Sequence, residues 1–185
     1  MELEGLALKI RLIVPLSIIV LFTNASAAKG AEQEWVETGA RLGFSEDVHG
    51  ENFNQFEIAA AYRLPWTWIL DSGWILDSRI NASVGVLHGG GDTAAIATIG
   101  PGLAWVSPSQ QFTVEAGISP TLMSQHEFGD ADFGGIFQFT SFIGLNSLIG
   151  KQTTVSFRVQ HMSNASIYDS NPGLNQVMLG INYRF

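Results

Sequence analysis

The stretch LNQVMLGINYRF, residues 174–185, alternates between two kinds of side chain. Successive side chains of an extended strand point to opposite faces, so alternate positions share a face. One face is apolar and carries Val177, Leu179, Ile181, Tyr183 and Phe185. The other face is polar and carries Gln176, Asn182 and Arg184. The stretch therefore predicts a long strand with chemically different faces.

Seven earlier segments have the same character and are separated by clusters of turn-forming residues. The predicted strands are residues 35–45, 53–64, 77–88, 93–106, 112–124, 133–147, 153–164 and 174–185. Every charged residue within them can be placed on one face of its strand, and the opposite face has none. No segment shows sustained helical periodicity. The pattern predicts an all-β protein with eight antiparallel strands.

Two closed architectures fit eight such strands. In a soluble barrel, such as a lipocalin-type ligand carrier, the apolar faces point inward. In an outer-membrane barrel they contact lipid, and the charges lie in the lumen. The predicted strands are long enough to cross a bilayer at a tilt, which takes about 9–11 residues. Aromatic side chains lie near strand ends, as in an interfacial girdle: Trp35, Trp66, Trp68, Trp74, Trp105 and Tyr183.

These features, together with the aromatic residue at the end of the last strand, favour an eight-stranded antiparallel transmembrane β-barrel of the bacterial outer membrane. Eight strands leave an interior that side chains just fill. The charges expected there are Arg41, Arg63, Arg79, Arg158, Arg184, Glu37, Glu57, Asp77 and Glu115. We expect them to plug the lumen with ion pairs. The outer loops would be residues 46–52, 89–92, 125–132 and 165–173, with 65–76 as an unusually long periplasmic turn.

Composition excludes several classes of protein. Only 14% of the 185 residues are charged, whereas soluble domains carry about 25%. A formal net charge of -8 argues against a nucleic-acid partner. The chain has no cysteine, so disulfides and thiolate chemistry are absent.

The first 27 residues are typical of a signal peptide. Lys9 and Arg11 precede an apolar run at 12–22, and small residues follow at 25–27. The run is too short to span a bilayer, which takes about 20 residues. We therefore expect export, with residues 28–185 forming the barrel domain.

Polar residues interrupt the lipid-facing side of the barrel near its outer end. His161 and Ser163 share one face of the seventh strand, and Asn175 continues the apolar face of the eighth. A single polar residue there fits the membrane interface equally well. Three on one face favour an activated nucleophile, in which a base takes the proton of a hydroxyl and a third group orients the base. A nucleophile facing the outer leaflet implies lipopolysaccharide as substrate.

The motif HMSNAS, residues 161–166, resembles the H-x-S-N signature of the lipid A 3-O-deacylase family, and the following NPG turn and last strand are similar too. The family resemblance implies an outer-membrane esterase that needs no cofactor or metal and acts on lipid A among membrane lipids. It implies Ser163 as nucleophile and His161 as general base. Asn164 and a backbone amide near Ser166 would form the oxyanion hole.

The third catalytic position departs from the family pattern. Asn175 stands where the family has glutamate, and Asp169 is the nearest acid that could replace it. The alternatives are a fully active or slow enzyme, an inactive relative, and a non-enzymatic structural or adhesive barrel. Association into a homodimer is also possible from the sequence. The other histidines, His49, His88 and His126, lie in or beside separate outer loops and are interpreted as solvated.

Overall fold

A computed structural model describes residues 26–27, 34–45 and 48–185. Eight long strands form its barrel: β1 (Glu34–Ser45), β2 (Asn54–Ile69), β3 (Ile75–Gly89), β4 (Asp92–Val106), β5 (Phe112–Met123), β6 (Phe137–Leu148), β7 (Thr153–Ser163) and β8 (Leu174–Arg184). Each pairs antiparallel with its sequence neighbours, and β8 pairs with β1 to close the sheet. The predicted fold is confirmed.

Short elements complete the described part of the chain. Two-residue strands occur at Ser26–Ala27, beside the end of β2, and at Glu127–Phe128 and Ala131–Asp132, which pair with each other in the loop between β5 and β6. Among the described residues, no helix is long and apolar enough to span a membrane. The signal peptide expected at residues 1–27 lies almost wholly outside the described residues and stays a prediction.

The barrel is apolar outside and polar inside. Ile181 on the outer face is 62% exposed, whereas Glu115 on the inner face is 3% exposed. Buried pairs join Arg41 Nε to Glu57 Oε1 and Arg158 Nη2 to Glu115 Oε1, both at 2.6 Å. This arrangement is the reverse of a soluble ligand carrier, because an exposed apolar band needs lipid around it. The described strands therefore form a barrel of the membrane-embedded kind.

The periplasmic connection between β2 and β3 is shorter than the sequence pattern suggested. We expected a turn at 65–76, but β2 continues to Ile69 and the connection spans only 70–74. The β2–β3 register shifts between Arg63 and Thr67, next to Pro65. Proline cannot donate a ladder hydrogen bond and is accommodated at such an irregularity. The strand therefore passes through the residue that was interpreted as its end.

An apolar cap closes the outer end of the lumen. Its buried members, which we call the outer cap, are Phe53, Leu87, Ala94, Ile96, Met123, Phe128, Ala131, Phe133, Met162 and Leu174. The rings of Phe53, Phe128 and Phe133 pack edge to face, with centroids 5.4–5.9 Å apart. Residue 133 was expected to begin the sixth strand, but β6 begins at Phe137. The inward side chains of Met162 and Leu174 place this cap directly beneath the predicted site.

Candidate active site

The β7–β8 hairpin brings His161 and Asn175 together. They are Cα partners in the ladder, and His161 Nδ1 lies 2.8 Å from Asn175 Oδ1. An amide oxygen only accepts hydrogen bonds, so Nδ1 carries the proton in this contact. The lone pair of the imidazole is then on Nε2. This is the tautomer that a general base needs when its other nitrogen is held by an orienting residue.

Ser163 lies two residues beyond His161 on the same outward face of β7 and is half-buried. Its ladder partner on β6 is Phe139. Among the described residues, the Ser163 hydroxyl has no hydrogen-bond partner, and it does not contact the imidazole through one. Catalytic hydrogen bonds often close only when substrate is bound. The structure thus places the predicted nucleophile and base on one face without joining them.

Gly173 shapes the free edge of the imidazole. It has a φ of +71°, a left-handed conformation that favours glycine. A Cβ at this position would lie 3.0 Å from His161 Cε1 and 3.7 Å from Nε2. Any side chain would therefore crowd the Cε1 edge of the ring, next to Nε2. The glycine of the NPG turn keeps that edge clear.

A tight turn follows Ser163 at once. The amide of Ile167 donates to Asn164 O at 3.1 Å, with positive φ at both central residues, Ala165 (53°) and Ser166 (65°). This is a type I′ geometry, which favours glycine or asparagine. Within the described residues, the exposed N–H groups of Ala165 and Ser166 have no hydrogen-bond partner. Two adjacent free donors next to a hydroxyl are suited to binding an anionic oxygen.

The side chain of Asn164, a position predicted to contribute to the oxyanion hole, points into the barrel. The side chain is fully buried, and its amide donates to Phe133 O at 2.9 Å and Ser170 O at 2.6 Å. Its backbone N–H donates to Asn171 Oδ1 at 3.1 Å. Strand alternation turns Asn164 inward when Ser163 faces out. Asn164 joins the two loops beside the site, so its donors are already used.

The alternative acid, Asp169, does not take the third position. It is exposed in the loop between β7 and β8, whereas the partner of His161 Nδ1 is Asn175. Sequence reasoning missed a different residue, Ser141, which is the Cα partner of His161 on β6. Its outward position follows from alternation, but its place opposite His161 needs the strand register.

The remaining histidines lie on separate segments. His88 Nδ1 contacts Thr93 Oγ1 and His126 Nδ1 contacts Asp132 Oδ1, each at 2.9 Å. Within the described residues, His126, Glu127 and Asp132 form a surface group whose ligand atoms lie within 4.8 Å of one another. The Gly134 N–H, and then His126, hold the pKa of Asp132 below its ordinary value.

Comparison with known proteins shows which family the chain belongs to. The model of the lipid A 3-O-deacylase (PagL) family matches residues 54–184. The chain belongs to this family. It is 41% identical over 76 residues to the lipid A deacylase PagL of Bordetella bronchiseptica, a segment that spans 41% of this chain and 43% of the relative.

The fold of this family member matches a solved structure. It superposes with a TM-score of 0.70 on the crystal structure of the outer membrane enzyme PagL. The match has 18% sequence identity and covers 80% of this chain and 99% of the other. At that identity it supports the barrel fold alone, so the assignment of site residues depends on the geometry above.

Proposed function

We propose that this protein is an outer-membrane esterase that removes the ester-linked acyl chain at the 3-position of lipid A. The observation that carries the proposal is the His161–Asn175 hydrogen bond on the lipid-facing surface, with Ser163 two residues away on the same face. Family membership supplies the substrate class. A polar group at a lipid-facing position is costly and is a functional-site hypothesis by default.

The residues divide the reaction as follows. Ser163 Oγ attacks the ester carbonyl carbon while His161 Nε2 takes the hydroxyl proton. The tetrahedral oxyanion accepts hydrogen bonds from the Ala165 and Ser166 amides. When it collapses, the sugar oxygen leaves and takes the proton from His161, and the acyl group stays on Ser163. Water, deprotonated by His161, then attacks the acyl-enzyme and releases the fatty acid and the free serine.

The substrate reaches the site sideways, from the outer leaflet. The lumen is filled by buried pairs such as Arg158–Glu115 and closed by the outer cap, so it offers no route for a lipid.

The chemistry calls for acid–base groups and hydrogen-bond donors only, and all of these are side chains or amides of this chain. Association into a homodimer stays a prediction.

With Asn175 at the orienting position, we expect a lower catalytic rate than a carboxylate would give. It holds the imidazole orientation, but it cannot stabilise the imidazolium that forms in the transition state by charge. In a serine protease, replacing the orienting aspartate by asparagine costs about 10⁴ in kcat because the asparagine holds the wrong tautomer of the histidine. The oxygen of Asn175 holds the productive tautomer of His161, so the loss expected here is that of the charge alone. A scaffold disabled at this residue is therefore the second candidate function.

Mass spectrometry of lipid A from cells expressing the protein tests both candidates. We expect loss of one 3-position acyl chain with the parent and none with Ser163→Ala, while both barrels assemble equally. Ser147→Ala, an outward serine at the other end of β6, is the matched control and should behave as the parent. Unchanged deacylation by Ser163→Ala would remove Ser163 from the mechanism. Deacylation only after Asn175→Glu would support the disabled scaffold.

A further inference from the structure

One more polar side chain interrupts the lipid-facing surface beside the site. On the outward face of β6, Phe137 and Phe139 lie on the loop side, and Ile143 and Leu145 follow toward the periplasm. Between these two apolar pairs lies Ser141, which is half-buried. We propose that the Ser141 hydroxyl binds the lipid substrate on the side of His161 opposite Asn175. The proposal rests on the function proposed above and names a further residue of the same site.

Strand register places Ser141 in this position. His161 is paired with Asn175 on β8 and with Ser141 on β6, so the three lie in one row across three strands. Directly opposed residues have Cβ atoms about 4.5–5.5 Å apart. The next residue in the row, Ile118 on β5, is apolar and 42% exposed. Among the described residues of β5–β8, the polar patch around His161 therefore consists of Asn175, His161, Ser163 and Ser141, and on the β5 side it ends at Ser141.

The Ser141 hydroxyl has no hydrogen-bond partner among the described residues. Burying a hydroxyl in an apolar environment without a hydrogen bond costs free energy. The outward neighbours of Ser141 along its strand, Phe139 and Ile143, are apolar, and the hydroxyl of Thr140 is bonded to Thr121 inside the barrel. Asn175 lies on the far side of His161, bonded to its Nδ1. His161 Nε2, across the ladder, carries a lone pair that the proposed mechanism uses for the proton of Ser163, so a lipid oxygen is the partner that remains for Ser141. Hydroxyl and carbonyl oxygens next to the scissile ester have the required chemistry.

The backbone around Ser141 argues against a nucleophilic role for its hydroxyl. Ser141 lies in the middle of β6, paired with Ile118 on one side and His161 on the other. Backbone amides there are used by the ladder, so no donor is free to stabilise an oxyanion. The free amides are those of Ala165 and Ser166, next to Ser163. Ser141 is therefore suited to holding the substrate while Ser163 reacts.

The test measures lipid A binding by variants that cannot hydrolyse lipid A. In the Ser163→Ala background of the full chain in detergent, lipid A affinity is measured by native mass spectrometry. Adding Ser141→Ala should weaken binding about tenfold, the effect of losing one hydrogen bond. Ser141→Thr keeps a hydroxyl and fits a strand, so it should restore most of the affinity. Ser147→Ala, on the same face of β6, should leave affinity unchanged.

The results separate this inference from the proposed function. Equal affinity with and without Ser141→Ala, or no lipid A binding at all, would overturn the role of Ser141. Weakened binding by a protein whose parent never deacylates would support Ser141 and reject the deacylase. In an active parent, Ser141→Ala should raise KM more than it lowers kcat. Loss of labelling by a serine-reactive phosphonate in Ser141→Ala, with labelling kept in Ser163→Ala, would make Ser141 the nucleophile and overturn this assignment.

Discussion

His161 and Asn175 face each other across the β7–β8 ladder, with His161 Nδ1 2.8 Å from Asn175 Oδ1. The contact has the geometry of a base held by an orienting residue, but its acceptor is a neutral amide. A neutral acceptor fixes the ring and its tautomer, and it leaves the protonated ring without a counter-charge. Under the proposed function, we therefore expect Asn175 both to orient His161 and to limit the rate.

Replacing Asn175 by glutamate should raise kcat for lipid A by about 5–10-fold, because a hydrogen bond to a charged partner contributes about 1 kcal/mol more than a neutral one. The carboxylate keeps the contact with Nδ1 and stabilises the imidazolium. Asn175→Ala should lower kcat below that of the parent, because the ring loses its orienting partner. Single-turnover deacylation measures both. Equal rates for the parent and Asn175→Glu would mean that charge at this position does not limit the reaction.

A side chain at Gly173 should slow the reaction without unfolding the barrel. In Gly173→Ala the new Cβ would lie 3.0 Å from His161 Cε1, on a backbone with a φ of +71°. The imidazole must give way by a few tenths of an ångström, which disturbs its contact with Asn175, so kcat should fall. Gly150→Ala is the matched control, since its Cβ would meet only Thr153 atoms at 3.9–4.0 Å. Equal kcat for the two variants would contradict this view of Gly173.

The Asn164 side chain should contribute more to the stability of the loops than to stabilisation of the oxyanion. Asn164→Asp keeps the shape but removes both donors to Phe133 O and Ser170 O. Leaving such buried groups unpaired costs about 1–3 kcal/mol each. We expect a lower unfolding temperature, and lower activity because the turn at 165–166 is loosened. An Asn164→Asp protein with parental stability but no activity would show instead that the side chain acts on the reacting oxygen.

The sequence predicts the barrel well because its two faces meet different solvents. Alternation along 174–185 needs only the local chain to be detected. Ladder register is a property of two strands, so Ser141 opposite His161 could not be found from either segment alone. Phe133 extends an apolar pattern whether it enters a strand or a cap, and periodicity cannot separate the two. Pro65 is predicted to begin a turn because the compensating bulge has no sequence signal.

The carboxyl group of Asp132 should titrate below its ordinary pKa. The Gly134 N–H is the largest cause of the lowered pKa and the hydrogen bond from His126 is the next, so His126→Ala should reduce the lowering without abolishing it. Because the pKa is lower in the folded state, the ionised carboxylate stabilises the loop fully at pH values above the unfolded-state pKa of about 3.9. This stabilisation is lost as the pH falls through the folded-state pKa. Carboxyl carbon NMR across the acid range measures the midpoint. An ordinary midpoint in the parent protein would refute the Gly134 contact.

Removing one partner of a buried ion pair in the lumen should lower the free energy of unfolding more than replacing both partners by apolar residues. Glu115→Gln leaves Arg158, which is 5% exposed and stacked 3.7 Å above the Phe142 ring, without its counter-charge. Removing one partner of a buried pair costs about 3–5 kcal/mol, whereas apolar replacement of both is often neutral. Unfolding of the purified barrel, followed by its heat-dependent migration in detergent gels, should therefore occur at a lower temperature for Glu115→Gln than for the double variant Glu115→Leu with Arg158→Met. Glu34→Gln provides the control, because the Glu34 side chain in its pair with Arg63 is 52% exposed and such pairs contribute about 0–1 kcal/mol. If the double variant were the less stable of the two, the charges would stabilise the barrel beyond their mutual compensation.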